Sequence, residues 1–116
     1  MINLMLCTEK MDLVTAFYEA AGVQLEKEQH GAGPQHFSFK TDICIELYPL
    51  RVPADASFVL RIDVKDLDET MAKIQSLFSY GDLIVQDTQS LSSGKKSILR
   101  DPDGRIVELF QPKAPY

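Results

Sequence analysis

The chain has 116 residues, of which 45% are hydrophobic and 25% charged, and its formal net charge is −5. This length suits one domain, 1–116, with a core that needs no disulfide, and the composition excludes a disordered chain. The negative charge excludes a general affinity for nucleic acid or anionic lipid, and no run resembles a membrane span or a signal peptide. We therefore expect a cytoplasmic protein with neither as a partner.

The first half predicts a strand, a helix and three further strands. Apolar residues alternate over residues 2–7, recur at helical spacing over 10–21 with Leu13 on the apolar face, and alternate again over 35–40 and 43–49. Residues 23–29 are a weaker strand candidate, and the acidic and basic residues at 26–28 are interpreted as solvated. Cys7 and Cys44 lack the spacing of a redox or zinc motif, so we expect two reduced thiols.

The second half repeats this order. Residues 50–56 carry a proline without periodicity and are interpreted as a connection. A strand over 57–64 follows, and Asp66 and Glu69 resemble a capping box ahead of a helix that ends at Gly81. A weak strand over 83–88, a loop over 90–94 and a strand over 95–100 complete the pattern.

The run Leu-Arg-Asp-Pro-Asp-Gly-Arg-Ile-Val-Glu-Leu-Phe-Gln-Pro at 99–112 predicts a hairpin. Pro102 presets φ in the turn, Gly104 accepts a positive φ, and the two aspartates beside the proline accept backbone hydrogen bonds. In the strand after the turn, Glu108 shares a face with Phe110, because side chains alternate between the two faces. The hairpin therefore ends in an acid among apolar neighbours.

The two halves align as an internal repeat. Residues 2–21 superpose on 58–77 without a gap, and each half ends in an acid framed by aliphatic residues, Glu46 in the first and Glu108 in the second. We infer an α+β fold of two tandem βαβββ modules, 1–50 and 57–112.

The chain resembles the vicinal oxygen chelate superfamily, which includes glyoxalase I, bleomycin resistance proteins, fosfomycin resistance enzymes and extradiol dioxygenases. The most specific match is Arg100-Asp101-Pro102-Asp103-Gly104 through Glu108-Leu109, and the paired βαβββ order and Ala16-Phe17-Tyr18 add to it. The resemblance covers nearly the whole chain. It implies two modules that form a curved mixed sheet around a shared cavity, with the helices outside, and it implies a homodimer.

The family's metal ligands, carried over by position, fall on Asn3, Glu46, Val59 and Glu108. Val59 has no lone pair and Asn3 replaces a stronger ligand, so the resemblance implies a degenerate metal site. Glu46 and Glu108 remain as metal ligands if a divalent ion binds. His36 is an alternative replacement ligand, although a histidine at a strand start is more often a surface or hydrogen-bonded residue.

The predicted ligand-binding residues are those that the resemblance turns toward the cavity: Asn3, Cys44, Glu46, Tyr48, Val59, Arg61 and Phe110. Arg61 either pairs with one of the acids in place of a metal or lies in solvent at the rim. Tyr48 and Phe110 either fill the cavity as core, as Met5 does, or stack on a planar ligand.

These residues favour a protein that binds a small organic molecule without a cofactor, in the manner of the bleomycin resistance proteins. The alternative is a metal-dependent lyase, isomerase or dioxygenase, in which Glu46 and Glu108 hold one divalent metal with Asn3, His36 or water. Glu108 is then the candidate catalytic carboxylate for proton transfer. A third interpretation is a structural domain whose own side chains fill the cavity.

Overall fold

A computed structural model describes residues 2–40, 43–49 and 58–113. The first module contains β1 (Ile2–Cys7), α1 (Met11–Ala20), β2 (Glu26–Glu28), β3 (His36–Lys40) and β4 (Ile43–Tyr48). The second contains β5 (Val59–Asp63), α2 (Leu67–Leu77), α3 (Tyr80–Leu83), β6 (Ile84–Leu91), β7 (Gly94–Arg100) and β8 (Ile106–Pro112). The predicted α+β fold of two βαβββ modules is confirmed. The predicted connection at 50–56 lies outside the described residues.

Each module forms a four-stranded mixed sheet in which the last strand lies beside the first. The strand orders are β1-β4-β3-β2 and β5-β8-β7-β6, with β1–β4 and β5–β8 parallel and the other pairs antiparallel. This register puts Met5 opposite Glu46 and Arg61 opposite Glu108. The two acids thus occupy equivalent places in equivalent sheets.

The helices pack on one side of the sheets and share one core. Helix α1 buries Val14, Phe17 and Tyr18, and these residues join Leu67 of α2 in one apolar cluster. Leu13, expected on the buried face, is half exposed, because the face that meets the core is centred on Val14 and Phe17. Among the described residues, no helix is long and apolar enough to cross a bilayer.

The start of α2 confirms half of the predicted capping box. The side chain of Asp66 accepts a hydrogen bond from the backbone N–H of Glu69 at 3.0 Å. The carboxylate of Glu69 does not complete the box, because it lies 3.5 Å from the ammonium of Lys73 one turn later. Asp66 thus satisfies one of the unpaired N–H groups at the helix start.

The segment between α2 and β7 differs from the prediction. Helix α2 ends at Leu77 rather than at Gly81, and α3 follows as a separate turn. The predicted loop at 90–94 is shorter, because β6 continues to Leu91 and pairs there with Gly94. A Cβ at Gly94, where φ is +152°, would collide with the carbonyl oxygen of Gln111. This glycine therefore allows the start of β7 to lie close to β8.

A buried polar cluster, here called the junction network, joins the two modules. Its members are Tyr18 of α1 and Asp101 and Arg105 of the last hairpin. The Tyr18 hydroxyl donates to Asp101 Oδ2 at 2.7 Å, and Arg105 Nη1 donates to the same oxygen at 3.0 Å. Arg105 also donates to the backbone carbonyl of Cys7 at the end of β1. These hydrogen bonds connect the hairpin turn of the second module to the first module.

The pKa values of Tyr18 and Arg105 are both raised in this network. Burial raises the pKa of Tyr18, and the charge and hydrogen bond of Asp101 raise it further. Burial alone lowers the pKa of Arg105, but the hydrogen bond and charge of Asp101 outweigh that effect. The network is therefore a neutral phenol on a buried ion pair.

Candidate functional site

A cavity of about 600 Å³ lies between the core side of the first sheet and strand β5. Its first wall is mostly aliphatic and includes Leu4, Ile45 and Leu47, and its second wall includes Val59 and Arg61. Sites for small molecules usually occupy about 300–1,000 Å³ and combine apolar walls with a few polar groups. The cavity has the size and chemistry of such a site.

Glu108 lies between two cations on the second sheet. Its carboxylate oxygens are 3.7 Å from Arg61 Nε and 3.5 Å from Lys96 Nζ. Arg61 also lies 3.3 Å from the carboxylate of Asp63, and its guanidinium carbon is 3.8 Å above the centre of the Phe110 ring. Arg61 thus lies within ion-pair distance of Glu108, and its side chain is 51% exposed.

Glu46 belongs to a separate cluster on the first sheet. Its Oε2 lies 3.3 Å from His36 Nε2 and accepts a hydrogen bond from the Tyr48 hydroxyl. The His36 and Tyr48 rings stack with centroids 4.4 Å apart. The surface position considered for His36 is wrong, because β3 is an internal strand and Tyr48 covers the imidazole, which is 1% exposed.

The structure divides the predicted site residues between these places. Val59 and Arg61 line the cavity, whereas Glu46 lies on the face of β4 opposite Ile45 and Leu47, because side chains alternate along a strand. Phe110 is buried beneath Arg61. Backbone pairing places Asn3 opposite Cys44, but both side chains lie outside the described part of the chain.

Solved structures with the same architecture exist, whereas no protein-family model and no curated protein sequence matches the chain. The hypothetical protein SA1046 from S. aureus superposes with a TM-score of 0.69 at 13% identity, over 96% of this chain and 92% of that one. TnmS3, an antibiotic binding protein from Streptomyces sp. CB03234, gives 0.68 at 20% identity, over 96% and 93%. A glyoxalase/bleomycin resistance protein/dioxygenase family enzyme from Burkholderia phytofirmans PsJN gives 0.67 at 14% identity, over 96% and 97%.

The chain has the vicinal oxygen chelate fold. The resemblance implies a divalent metal at the positions of Asn3, Glu46, Val59 and Glu108. Val59 offers only hydrocarbon there, and the carboxylate of Glu108 is already compensated by two cations. Glu46 and Glu108 also belong to different clusters within the chain. This donor set does not fit a tightly held transition metal.

Sequence reasoning missed two residues beside His36. Residues 26–28 were expected in solvent, but the Glu28 side chain is only 18% exposed, and its Oε2 lies 3.4 Å from His30 Nε2. The His30 and His36 ring centroids are 5.1 Å apart. The available signal was the glycine-rich turn after His30, which folds residues 28 and 36 into register across a hairpin.

Proposed function

We propose that this protein binds a small organic molecule in the cavity between the first sheet and β5. The observation that carries the proposal is an apolar space of about 600 Å³ with the charged pair Arg61 and Asp63 on one wall. The aliphatic wall favours an apolar ligand body, and the guanidinium favours an anionic or carbonyl oxygen at one end. TnmS3, which shares the fold, is described as an antibiotic binding protein and supports this class.

Binding of this kind requires no metal and no catalytic group. In the proposal, Glu108 is a positioning residue, since it pairs with Arg61 while the guanidinium rests on the Phe110 ring. Cation–ring contacts and ion pairs restrict a long side chain to fewer conformations. The Arg61 side chain is therefore restrained at the cavity wall before a ligand binds.

Filling the cavity mouth should weaken binding of a fluorescent aromatic anion. The probe is anilinonaphthalene sulfonate, titrated by fluorescence with the full chain. We expect Val59→Trp to lower the affinity at least tenfold, because Val59 lines the cavity and its 57% exposed side chain leaves room for the larger ring. Arg61→Ala should lower the affinity about 10- to 100-fold, since a hydrogen bond to a charged group contributes about 1.5–3 kcal/mol.

Val85→Trp is the matched control, because Val85 is a 48% exposed valine on β6 that does not line the cavity. Its affinity for the probe should equal that of the unmodified protein. Equal effects of the two tryptophan variants would contradict binding in this cavity. A requirement for a metal that a chelator removes would contradict the metal-free proposal.

The proposal includes a homodimer. Strand β1 is an edge of the first sheet, and its Met5 side chain is 51% exposed. An edge strand with an apolar side chain favours pairing with another chain. Sedimentation should give about twice the monomer mass of 13.0 kDa, and Met5→Lys should return the monomer mass. A monomer for the unmodified chain at micromolar concentration would contradict it.

A further inference from the structure

We infer that Glu28, His30 and His36 form a binding site for a divalent transition-metal ion such as Zn²⁺, entirely within the first module. One ligand atom of each side chain lies within 4.8 Å of the others. The two histidines are the only ones in the chain. Imidazole nitrogen with a carboxylate oxygen is a donor set that zinc prefers. None of the three residues stands at a position that the resemblance assigns to the metal, although His36 lies 3.3 Å from Glu46, which does.

The hairpin between β2 and β3 brings the three side chains together. Glu28 and His36 are opposite each other in the antiparallel register of these strands. His30 lies in the connecting loop, where its carbonyl oxygen accepts a hydrogen bond from the N–H of Gly33 at 3.0 Å. Gly31 adopts a φ of 58°, which allows the loop to turn back. Two donors therefore lie on paired strands and the third on a closed loop.

The observed separations suit a metal ion. A tetrahedral ion with ligand bonds of about 2.0–2.1 Å holds its ligand atoms about 3.3–3.4 Å apart. His30 Nε2 and Glu28 Oε2 are 3.4 Å apart. The three ligand atoms lie within 4.8 Å of one another, and the His30 side chain is 72% exposed, so its ring can turn toward the other two donors.

The buried imidazole of His36 is an independent observation that points to a ligand. Its ring is 1% exposed, and Nε2 has no hydrogen-bond partner although Glu46 Oε2 lies 3.3 Å away. A buried polar atom without a partner is costly, and an ion bound to the ring relieves that cost. With an ion on Nε2, the other ring nitrogen, Nδ1, keeps an acceptor in the Pro34 carbonyl 3.3 Å away.

An acceptor on the second ring nitrogen is the arrangement that orients metal-binding histidines. Exposure rises from His36 through Glu28 to His30. The ion would therefore lie near the surface, with three protein ligands and one coordination position left for water.

The test is calorimetric titration of the full chain with zinc chloride near pH 7.5, where imidazoles are largely neutral. We expect one ion per chain. Side-chain ¹H–¹⁵N spectra should show both histidines shifting together, with no third imidazole to confuse the assignment. His30→Asn and Glu28→Gln should each weaken binding about 100-fold, since removing even an orienting partner costs 10–100-fold.

Glu26→Gln is the matched control, because Glu26 is an exposed acid two residues earlier on the same strand. It should bind zinc as the unmodified protein does, and so should Glu108→Gln. No binding at millimolar zinc, or full binding by His30→Asn, would overturn the inference. Loss of binding in Glu108→Gln would overturn it too, by placing the ion at the position used by enzymes of the fold.

The proposed zinc site can be tested separately from the proposed ligand cavity. His30→Asn changes an exposed loop residue, so the variant should keep its circular dichroism spectrum and its affinity for anilinonaphthalene sulfonate. A zinc defect with unchanged probe binding supports the site. If His30→Asn loses both zinc and probe affinity and its spectrum changes, the result counts against a direct ligand role for His30. The zinc affinity of Glu28→Gln then decides: lost affinity supports the site, and retained affinity contradicts it.

Discussion

Asp101→Ala should lower the free energy of unfolding by about 3–5 kcal/mol, the usual cost of breaking a buried ion pair from one side. Asp101 is 1% exposed and Arg105 3% exposed. The carboxylate accepts hydrogen bonds from the Tyr18 hydroxyl and from the backbone and guanidinium of Arg105. Its removal leaves a buried guanidinium and a buried phenol without their main acceptor. Urea unfolding followed by circular dichroism measures the loss.

Asp103→Ala is the comparison within the same turn. Asp103 also lies 3.1 Å from Arg105 Nη1, but its side chain is 15% exposed and makes fewer of the buried contacts. We expect a loss of about 1 kcal/mol. Equal losses for the two variants, or a loss below about 1 kcal/mol for Asp101→Ala, would mean that the junction network does not hold the modules together.

Above pH 10, the unmodified protein should lose stability faster than Tyr18→Phe, by about 1.4 kcal/mol per pH unit. Burial, then the charge and hydrogen bond of Asp101, raise the pKa of the folded-state phenol above its ordinary value of 10.0. The unfolded chain therefore releases this proton near pH 10 while the folded chain keeps it. The stability from the raised pKa is complete below pH 10 and is lost as the pH rises toward the folded-state value.

At pH 8, Tyr18→Phe should be less stable by about 1 kcal/mol, because only the hydrogen bond to Asp101 is lost. By pH 12 that difference should have reversed. Urea unfolding at intervals from pH 8 to pH 12 measures the stability difference between the two proteins below and above pH 10. Phenolate absorbance shows whether one of the four tyrosines ionises only on unfolding. Parallel stability curves for the two proteins across this range would contradict the raised pKa.

The order of elements was predictable because its signals are local. The turn at 101–104 forms as expected: Gly104 has a φ of 93°, and Asp101 accepts backbone hydrogen bonds from residues 103 and 105. The internal repeat also indicated that each last strand carries an acid, and pairing places each acid beside the first strand of its module. Side-chain alternation and turn residues can both be recognised within short stretches of sequence.

The surroundings of the candidate site were not predictable in this way. Alternation assigns His36 to a face of its strand, but its burial depends on Tyr48 stacking over it and on β2 lying alongside. The cavity wall uses Ile45 and Leu47, the opposite face of the strand from Glu46. Which face of this strand lines the cavity depends on how the two modules pack. That packing rests on contacts such as Tyr18 to Asp101, 83 residues apart.

The junction network also breaks the symmetry of the duplication. In the alignment of the two halves, the counterpart of Tyr18 in α2 is Ile74, a fully buried aliphatic residue with nothing to donate. In the Tyr18–Asp101 hydrogen bond, the first half thus supplies the donor and the second half the acceptor. Two copies of either half would lack one member of that pair, so the two repeats depend on each other within one chain.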